Sequence, residues 1–520
     1  MAVTFAKMSM YSAIAGLSTV FATFVSGVVV AKTLGVEGAG IVAFAVWLAL
    51  IVTPVVDGGM ALTVSRFLPD LKGRNDGGAI DALPGRLVRS LLLYNLLALA
   101  VVAALAAVPG GSLRAVAERV FHDASPGGAV RLVLLVAALV LLQSFALFGT
   151  AYLRGSQKFV GLAALTSLSM VSQIVCVFLG SRLFGVPGAI GGYLAGQLFL
   201  AAAAARLLMR GGGISPRLTR QTRHYARFSW AANVCNTFVW SRMEILFLQS
   251  FWGFREVGLF SVALALSALA SQGPLLLTGA FLPMLSEKHG KNDRQGLQTA
   301  FESGTRLLAL IAFPACFGMA AVVRVLLPLL YGPDFAAAAP ASMIIVAAAG
   351  FSISTVIGTH LVNAVGRSDF IFWSSLVGAA LSAALGFALI PSLGLLGAAI
   401  CRTVTQLAMI GFGLWFITRG LGFSYPFRSL ARILLASLAA ALSALAVVSL
   451  LAGAAGLVAA ILLAGLVYAA ALRLLGAIDP RDAVLLRRLC GALPSPVSGA
   501  LEWLLSFLLP ASRLHRSATS

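Results

Sequence analysis

The sequence predicts an all-α, polytopic membrane protein: about fourteen transmembrane helices, read as two parallel six-helix repeats followed by two accessory helices. Three observations predict it. Hydrophobic residues make up 60% of the 520 positions and charged residues only 10%, with a mean hydropathy of +0.98. A soluble domain needs more charge than that to cover its surface. Apolar runs such as Leu132–Leu142 and Leu430–Leu451 recur along the chain, and ~20 apolar residues suffice to cross ~30 Å of hydrocarbon as a helix. Third, one phrase is written twice: FLPDLKGRND at 67–76 and FLPMLSEKHGKND at 281–293.

Hydropathy and flanking charge place the spans near 9–31, 39–62, 87–108, 130–149, 160–181, 188–208, 229–251, 258–282, 305–330, 341–363, 371–391, 396–417, 430–451 and 455–475. The apolar run after Lys7 is too long for a signal-peptide core and reads as a retained first helix. With the N-terminus inside, every even connection is cytoplasmic. The second holds Arg66, Lys72, Arg74, Arg86 and Arg89; the sixth holds Arg206, Arg210, Arg217, Arg220, Arg223 and Arg227 without an acid. By this assignment roughly 28 of the 37 basic residues lie inside and roughly 7 outside. The formal charge of +20 therefore reads as topology and not as nucleic-acid binding. Both termini are expected in the cytoplasm.

The outer connections read as short. The longest, about 109–129, is punctuated by Pro109, Gly110, Gly111, Pro126, Gly127 and Gly128. The tail beyond Ile478 ends in GALEWLLSFLLP, read as an interfacial amphipathic piece or a loose tail. The organisation expected is a six-helix lobe over 1–208, a basic cytoplasmic linker over 209–228, a second lobe over 229–418, two accessory helices over 419–475 and a cytoplasmic tail over 476–520. Further echoes keep the order of the doubled phrase: LGVEGAG (34–40) with WGFREVGLF (252–260), GSQKF (155–159) with GRSDF (366–370), and FGVPGAIGGYLAGQ (184–197) with LGLLGAAICRTVTQ (393–406). Two six-span halves share an orientation, the parallel-repeat plan of many transporters.

Cys176, Cys235, Cys316, Cys401 and Cys490 form no C-x-x-C pair and read as packing residues, with neither disulfide nor metal expected. No G-x-x-x-x-G-K-[ST] loop is present, so no ATP hydrolysis is expected. No cofactor is expected. A membrane glycosyltransferase or polymerase would need acidic or His/Arg-rich outer loops, and these are too short and too poor in carboxylates.

VVVAKTLGVEGAGIVAFAVWL, RGSQKF, SRMEILFL, EVGLFSVALALSAL followed by FLPMLSEKHGKND, LLPLLYGPDF and VNAVGRSDF together resemble the polysaccharide (O-antigen-type) flippases of the multidrug/oligosaccharidyl-lipid/polysaccharide exporter superfamily. The resemblance runs from about residue 5 to 425. It implies a flippase, not an enzyme, that moves an undecaprenyl-diphosphate-linked oligosaccharide from the inner to the outer leaflet for O-antigen, capsule or exopolysaccharide assembly. It implies alternating access driven by cation antiport, with H+ or Na+ left open, and a polysaccharide polymerase or glycosyltransferases as partners besides membrane lipids. A peptidoglycan lipid II flippase and a multidrug or cation antiporter of the same superfamily remain the alternatives. The antiporter would want a carboxylate in the apolar part of an early helix, and the first span has none.

Charges and amides inside spans are expensive, roughly 2.5–3.5 kcal/mol for a mid-helix charge, so they mark candidate sites. A diphosphate bearing sugars needs cations, amide donors and aromatic faces. In the seventh span Asn233, Asn236, Thr237, Trp240 and Glu244 fall on one helical stripe, with Glu244 the coupling candidate and Arg242 nearly opposite. Members of the resembled family often carry Asp where this chain has Glu244. In the twelfth span Arg402, Thr405 and Gln406 share a face. In the tenth, Ser352, Thr355, Thr359 and Asn363 align, flanked by His360. The first span aligns Ser12, Thr19, Thr23 and Ser26. Asp57, before Gly58-Gly59, is a second ion-coupling candidate; Arg66, read as closing the second helix, flanks the inner mouth with Arg154 and Arg306.

Overall fold

Among the described residues ten stretches are helical, long and apolar enough to cross a bilayer, and every regular element is a helix. The computed structural model describes residues 2–74, 76–107, 112–121, 126–211, 215–240, 242–276, 278, 281–451 and 453–477. The expected tail 476–520 lies almost wholly outside them, as do Asn75 of the doubled phrase and much of the connection 109–129.

Three stretches, Ile14–Asp57, Phe159–Met209 and Asp369–Gly420, run to 44, 51 and 52 residues. As single straight helices they would measure roughly 65–80 Å, more than twice the hydrocarbon thickness. Each is interrupted by one glycine: Gly35 (φ 69°, ψ −170°), Gly185 (φ 63°, ψ −140°) and Gly394 (φ 53°, ψ −126°). A side chain is strained at positive φ, and extended ψ with it is nearly confined to glycine. Gly253 and Gly332 turn the chain in the same region, at φ 83° and ψ −173° and at φ 110° and ψ 163°. The echoes LGVEG, FGVPG, WGF and LGLLG therefore share one turn conformation. Past Gly185 the two arms run back antiparallel: a Cβ on Gly180 would strike the Gly188 carbonyl, one on Gly192 would strike Val177, and one on Gly196 would strike Gln173. Lipid tails are as apolar as leucine, so helices in a bilayer associate through close packing at small residues.

The even connections have a second turn type. In 152–158 the amides of Ser156, Gln157 and Lys158 donate to the carbonyls of Tyr152, Arg154 and Leu153. In 361–367 the amides of Val365, Gly366 and Arg367 donate to Leu361, Asn363 and Val362 in the same order. Lys291, Asn292 and Asp293 repeat it on Glu287, His289 and Lys288. The middle residue is left-handed each time: Gln157 at φ 59°, Gly366 at φ 78° and Asn292 at φ 55°. The doubled phrase ends in the same device twice. Asp76 accepts from the Ala79 amide at 3.1 Å and Asp293 from the Gly296 amide at 2.8 Å, so each caps the helix that follows. The Gly296 amide, then Lys288, hold the Asp293 carboxyl below its ordinary range.

The chain divides into two compact units, 1–261 and 262–520. The first contains α1 (Ala2–Asp57), α2 (Met60–Gly73), α3 (Gly77–Ala107), α4 (Ser112–Val120), α5 (Pro126–Gly155), α6 (Phe159–Ala205), α7 (Pro216–Trp240), α8 (Glu244–Trp252) and the start of α9 (Phe254–Leu276). α1 and α6 pack together, as do α5 and α6. Buried polar pairs pin them: Gln173 donates to Ser26 Oγ at 3.1 Å, and Ser144 on α5 donates to Asn95 Oδ1 on α3 at 2.9 Å. The close approach of α1 to α9 requires glycine on both sides, since a Cβ on Gly40 would collide with the Phe254 carbonyl and one on Gly258 with the Val36 carbonyl.

Several sequence expectations need correction in this unit. The connection 109–129 is not all loop: it holds α4, whose Leu113 and Ala117, with Phe121 just beyond, are buried at helical spacing. Phe121 meets Phe44 edge-on at 5.7 Å, and Gln249 donates to the Val120 carbonyl at 3.0 Å. The linker expected over 209–228 is helical from Pro216, because Leu218, Thr222, Tyr225, Ala226 and Ser229 give it a half-buried face. The second span stops at Asp57, where Gly58 (φ 61°) and Gly59 (φ 77°) turn the chain; Arg66 therefore lies within α2 and does not close a helix.

The second unit contains the rest of α9, α10 (Phe281–Gly290), α11 (Arg294–Tyr331), α12 (Ala339–Ser354), α13 (Val356–Ala364), α14 (Ser368–Trp415), α15 (Phe427–Leu450) and α16 (Gly453–Leu475). α11 packs on α12, α15 and α16. The last two helices bury small residues, Ala436, Ser437, Ala440, Ala444 and Ala460, and leave Leu442 and Leu466 exposed. Tyr468 donates to the Leu310 carbonyl at 2.7 Å, and Arg432 to the Gly476 carbonyl at 3.1 Å. The segment 421–426 is bound to the start of α11 by Gln298, Glu302 and Ser424.

Gly40→Ala should lower the thermal midpoint of the purified protein, at a cost of ~1–3 kcal/mol from overpacking. Gly16→Ala, whose Cβ meets nothing within 4 Å, should leave it unchanged. A fluorescence-detected melting series in one detergent measures both.

Candidate functional site

The seventh expected span is not one helix. α7 ends at Trp240 and α8 begins at Glu244. Between them Arg242 sits at φ 53°, left-handed backbone that a long side chain adopts only under constraint. The correction follows directly: the stripe from Asn233 to Glu244 is not continuous, because Arg242 is not helical. Asn233 is half-buried and Thr237 Oγ1 donates to its carbonyl at 2.8 Å. Asn236 and Trp240 belong to α7, and their side chains lie outside the described ones. Glu244 is buried in the first turn of α8, where a carboxylate suits the positive helix end. A helix broken within a span is how many transporters present backbone and charge to cargo.

Asp57 is buried, and the Ala61 amide at the start of α2 donates to both its carboxylate oxygens, at 3.3 and 3.4 Å. Trp230 of α7 donates to the Val55 carbonyl at 2.9 Å, two residues earlier. Arg66 lies over the Tyr225 ring at 4.3 Å, and that ring meets Phe67 edge-on at 5.6 Å. With Arg74, Gln221 and His224 they line a cleft of about 650 Å3. The structure thus brings Asp57, Arg66 and the first half of α7 to one corner of the first unit.

In the second unit α14 keeps Arg402, Thr405 and Gln406 on one helical face, all half-buried. The oxygens Thr403 Oγ1, Thr405 Oγ1 and Gln406 Oε1 are buried with no hydrogen-bond partner, as is His360 Nε2 on α13. Buried polar atoms are nearly always satisfied, so a group of orphans marks a surface that takes a polar partner. α13 and α14 pack on one another. Around His360 the expected tenth span is kinked at Thr355, which donates its hydroxyl to the Ser352 carbonyl at 2.9 Å; Thr359 and Asn363 are exposed. In the first span Thr19 and Thr23 donate to the Ala15 and Thr19 carbonyls and Ser26 Oγ accepts from Gln173, so these polar side chains are satisfied within the fold; the Ser12 side chain lies outside the described ones. Arg306 is buried against Glu302 at 3.5 Å, and Arg154 is exposed. Among the described residues no group of His, Cys, Asp and Glu could hold a metal ion.

The chain matches the family described as "Polysaccharide biosynthesis protein" over residues 97–340, just under half its length. An uncharacterized membrane protein of Methanocaldococcus jannaschii is 30% identical over 142 residues, 27% of this chain and 28% of that protein. A probable low-salt glycan biosynthesis flippase of Haloferax volcanii is 22% identical over 190 residues, 36% of this chain and 39% of that protein. The chain thus spans well under half the length of these curated relatives. The lipid II flippase MurJ in an inward closed conformation superposes with a TM-score of 0.72 at 14% identity, over 91% of this chain and 99% of that one. An inward-facing multidrug resistance MATE family transporter of the MOP superfamily gives 0.60 at 15% identity, over 78% and 96%. At that identity the structural likeness establishes a shared fold. The family match and the flippase relative are thus similarities over part of the chain, and the likeness to the solved structures is one of fold.

Asp57→Ala should cost ~0.5–2 kcal/mol through the lost cap, and Asp57→Asn less, because an amide oxygen still accepts from Ala61. Thermal midpoints of the two variants, measured together, check the order.

Proposed function

Because the chain carries the exporter fold and matches a polysaccharide biosynthesis family, we propose that it flips a prenyl-diphosphate-linked oligosaccharide across the bacterial inner membrane. The carrier is undecaprenyl diphosphate, and the product feeds surface polysaccharide assembly. The family match over 97–340 is the observation that carries the reading. The two turn types, repeated in order along the chain, support two parallel halves working by alternating access. Positive charge concentrated in even connections supports cytoplasmic termini.

Arg402, Thr405 and Gln406 contact the diphosphate or the first sugars. The guanidinium is planar and suits phosphate oxygens, while the hydroxyl and amide suit sugar hydroxyls. His360 adds a further polar contact. Asn233 and Asn236, with Trp240 as a stacking face, hold sugars ahead of the break; Arg242, in the break itself, is a second cationic contact. Asn363 and Arg66 meet the substrate head nearer the cytoplasm. Glu244 carries the coupling cation, H+ or Na+, at the start of α8: its buried carboxylate is charged in one state and neutralised in the other, which gives a differential affinity. Asp57 is committed to its cap and acts by holding α1 to α2.

Mass spectrometry of undecaprenyl-linked glycans in cells lacking this gene tests the proposal. A complete oligosaccharide repeat should accumulate and clear with wild type. Arg402→Ala should clear it ~10–100-fold more slowly, matching ~1.5–3 kcal/mol for a lost charge-assisted hydrogen bond. Glu244→Ala should fail to clear it at equal expression. Accumulated lipid II in place of a polysaccharide repeat would contradict the cargo, and no accumulated lipid-linked sugar would contradict the class.

A further inference from the structure

The first half of α7 carries a charge pattern that the transport reading does not use. Arg220, Arg223, His224 and Arg227 follow one another at i, i+3, i+4 and i+7, so they form a single stripe. The opposite face is fixed: Thr222 and Ala226 are buried, and a Cβ on Gly59 would collide with the Ala226 carbonyl. Facing the stripe is Arg86 of α3, whose Nη1 donates to Thr219 Oγ1 at 3.1 Å. Arg86, Thr219, Arg220, Arg223, His224 and Arg227 line a cleft of about 520 Å3. It holds four arginines and no carboxylate. Elsewhere in this unit Arg74, Arg114 and Arg210 each have an acid within ion-pair distance. Among the described residues none of the four cleft arginines does.

Four uncompensated guanidinium groups at one cleft repel each other unless an anion sits among them. The surroundings indicate where that anion comes from. Phe228, next along the helix, is 67% exposed and packs at a tilt against His224, 4.7 Å between centroids. Met209, just before α7, is 92% exposed. A basic stripe beside exposed apolar side chains, on a helix that carries no further charge from Phe228 to Trp240, fits a bilayer interface. A soluble anion needs no apolar rim; a lipid does.

We propose that the cleft of α3 and α7 is a binding site for the phosphate headgroup of an anionic membrane phospholipid. The guanidinium forks hold the phosphate oxygens, and Phe228 lies against the glycerol and upper acyl chain. Bound lipid fixes the first half of α7 at the interface, and through it the end of α1, which α7 grips at Val55.

The test uses the purified full chain in nanodiscs, with native mass spectrometry counting retained lipid. The probes are phosphatidylglycerol, phosphatidylcholine, undecaprenyl diphosphate and inorganic pyrophosphate. Wild type should retain phosphatidylglycerol at least tenfold better than phosphatidylcholine. Arg220→Gln/Arg223→Gln/Arg227→Gln should reduce retention at least tenfold; the matching Lys variant should keep most of it. These side chains are exposed, and circular dichroism checks that the variants stay folded. Equal retention by wild type and the Gln variant overturns the proposal. So does displacement by pyrophosphate at concentrations equal to the lipid, which makes the cleft a soluble-anion site. Displacement by undecaprenyl diphosphate also overturns it, because the cleft then belongs to the transported lipid.

Discussion

Backbone amides and carbonyls have no water to bond in hydrocarbon, so a chain that crosses it many times can be irregular only where it reverses. Everything else in this fold depends on that constraint. On one set of connections the reversal is a single glycine in a conformation nearly closed to other residues, at Gly35, Gly185, Gly253, Gly332 and Gly394. On the other it is a left-handed residue with a fixed order of amide bonds, as at Gln157, Asn292 and Gly366. Such short turns force consecutive helices into contact, and glycines at the contacts let the backbones approach.

The exception to this economy lies between Trp240 and Glu244. There a span of sufficient length is broken, with a positive-φ arginine and a buried glutamate immediately after. Most other polar residues within the helices are used up locally. Thr19, Thr23, Thr53 and Thr166 donate to carbonyls of their own turn, and Asn95 and Gln173 pair across helices. Against that background the orphaned oxygens of Thr405 and Gln406, beside Arg402, and the orphaned His360 nitrogen stand apart. On the proposed reading this second set, with Arg402, is the part of the polar inventory that meets cargo, while the first holds the fold.

Much of the fold was legible in the sequence. Apolar runs marked an all-helical membrane chain, and echoes such as GSQKF and GRSDF coincide with turns of identical hydrogen-bond order. Other features were harder to read for physical reasons. Hydropathy averages over a span, so the break before Glu244 is invisible to it, and a helical wheel then joins residues that the break separates. The basic stretch before residue 229 resembles a linker because its charges dominate; Leu218, Thr222, Ala226 and Ser229, spaced four and three apart, were the available signal for α7. Likewise Leu113, Ala117 and Phe121 announced α4 inside a Pro/Gly-rich connection. Which polar stripes are spent could not be read at all. Ser26 and Gln406 look alike in sequence, and only the partner across the helix pair distinguishes them.

The central claim is that this chain moves a lipid-linked sugar across a bilayer. Its most direct test is a flipping assay in proteoliposomes containing only this protein and a short fluorescent oligosaccharide on undecaprenyl diphosphate. Loss of accessibility to an external sugar-modifying enzyme is followed after a proton or sodium gradient is imposed. The account predicts movement that requires the protein, responds to one of the two gradients, and loses that response in Glu244→Gln. Movement no faster than in protein-free liposomes, under either gradient and with several glycans, would contradict it.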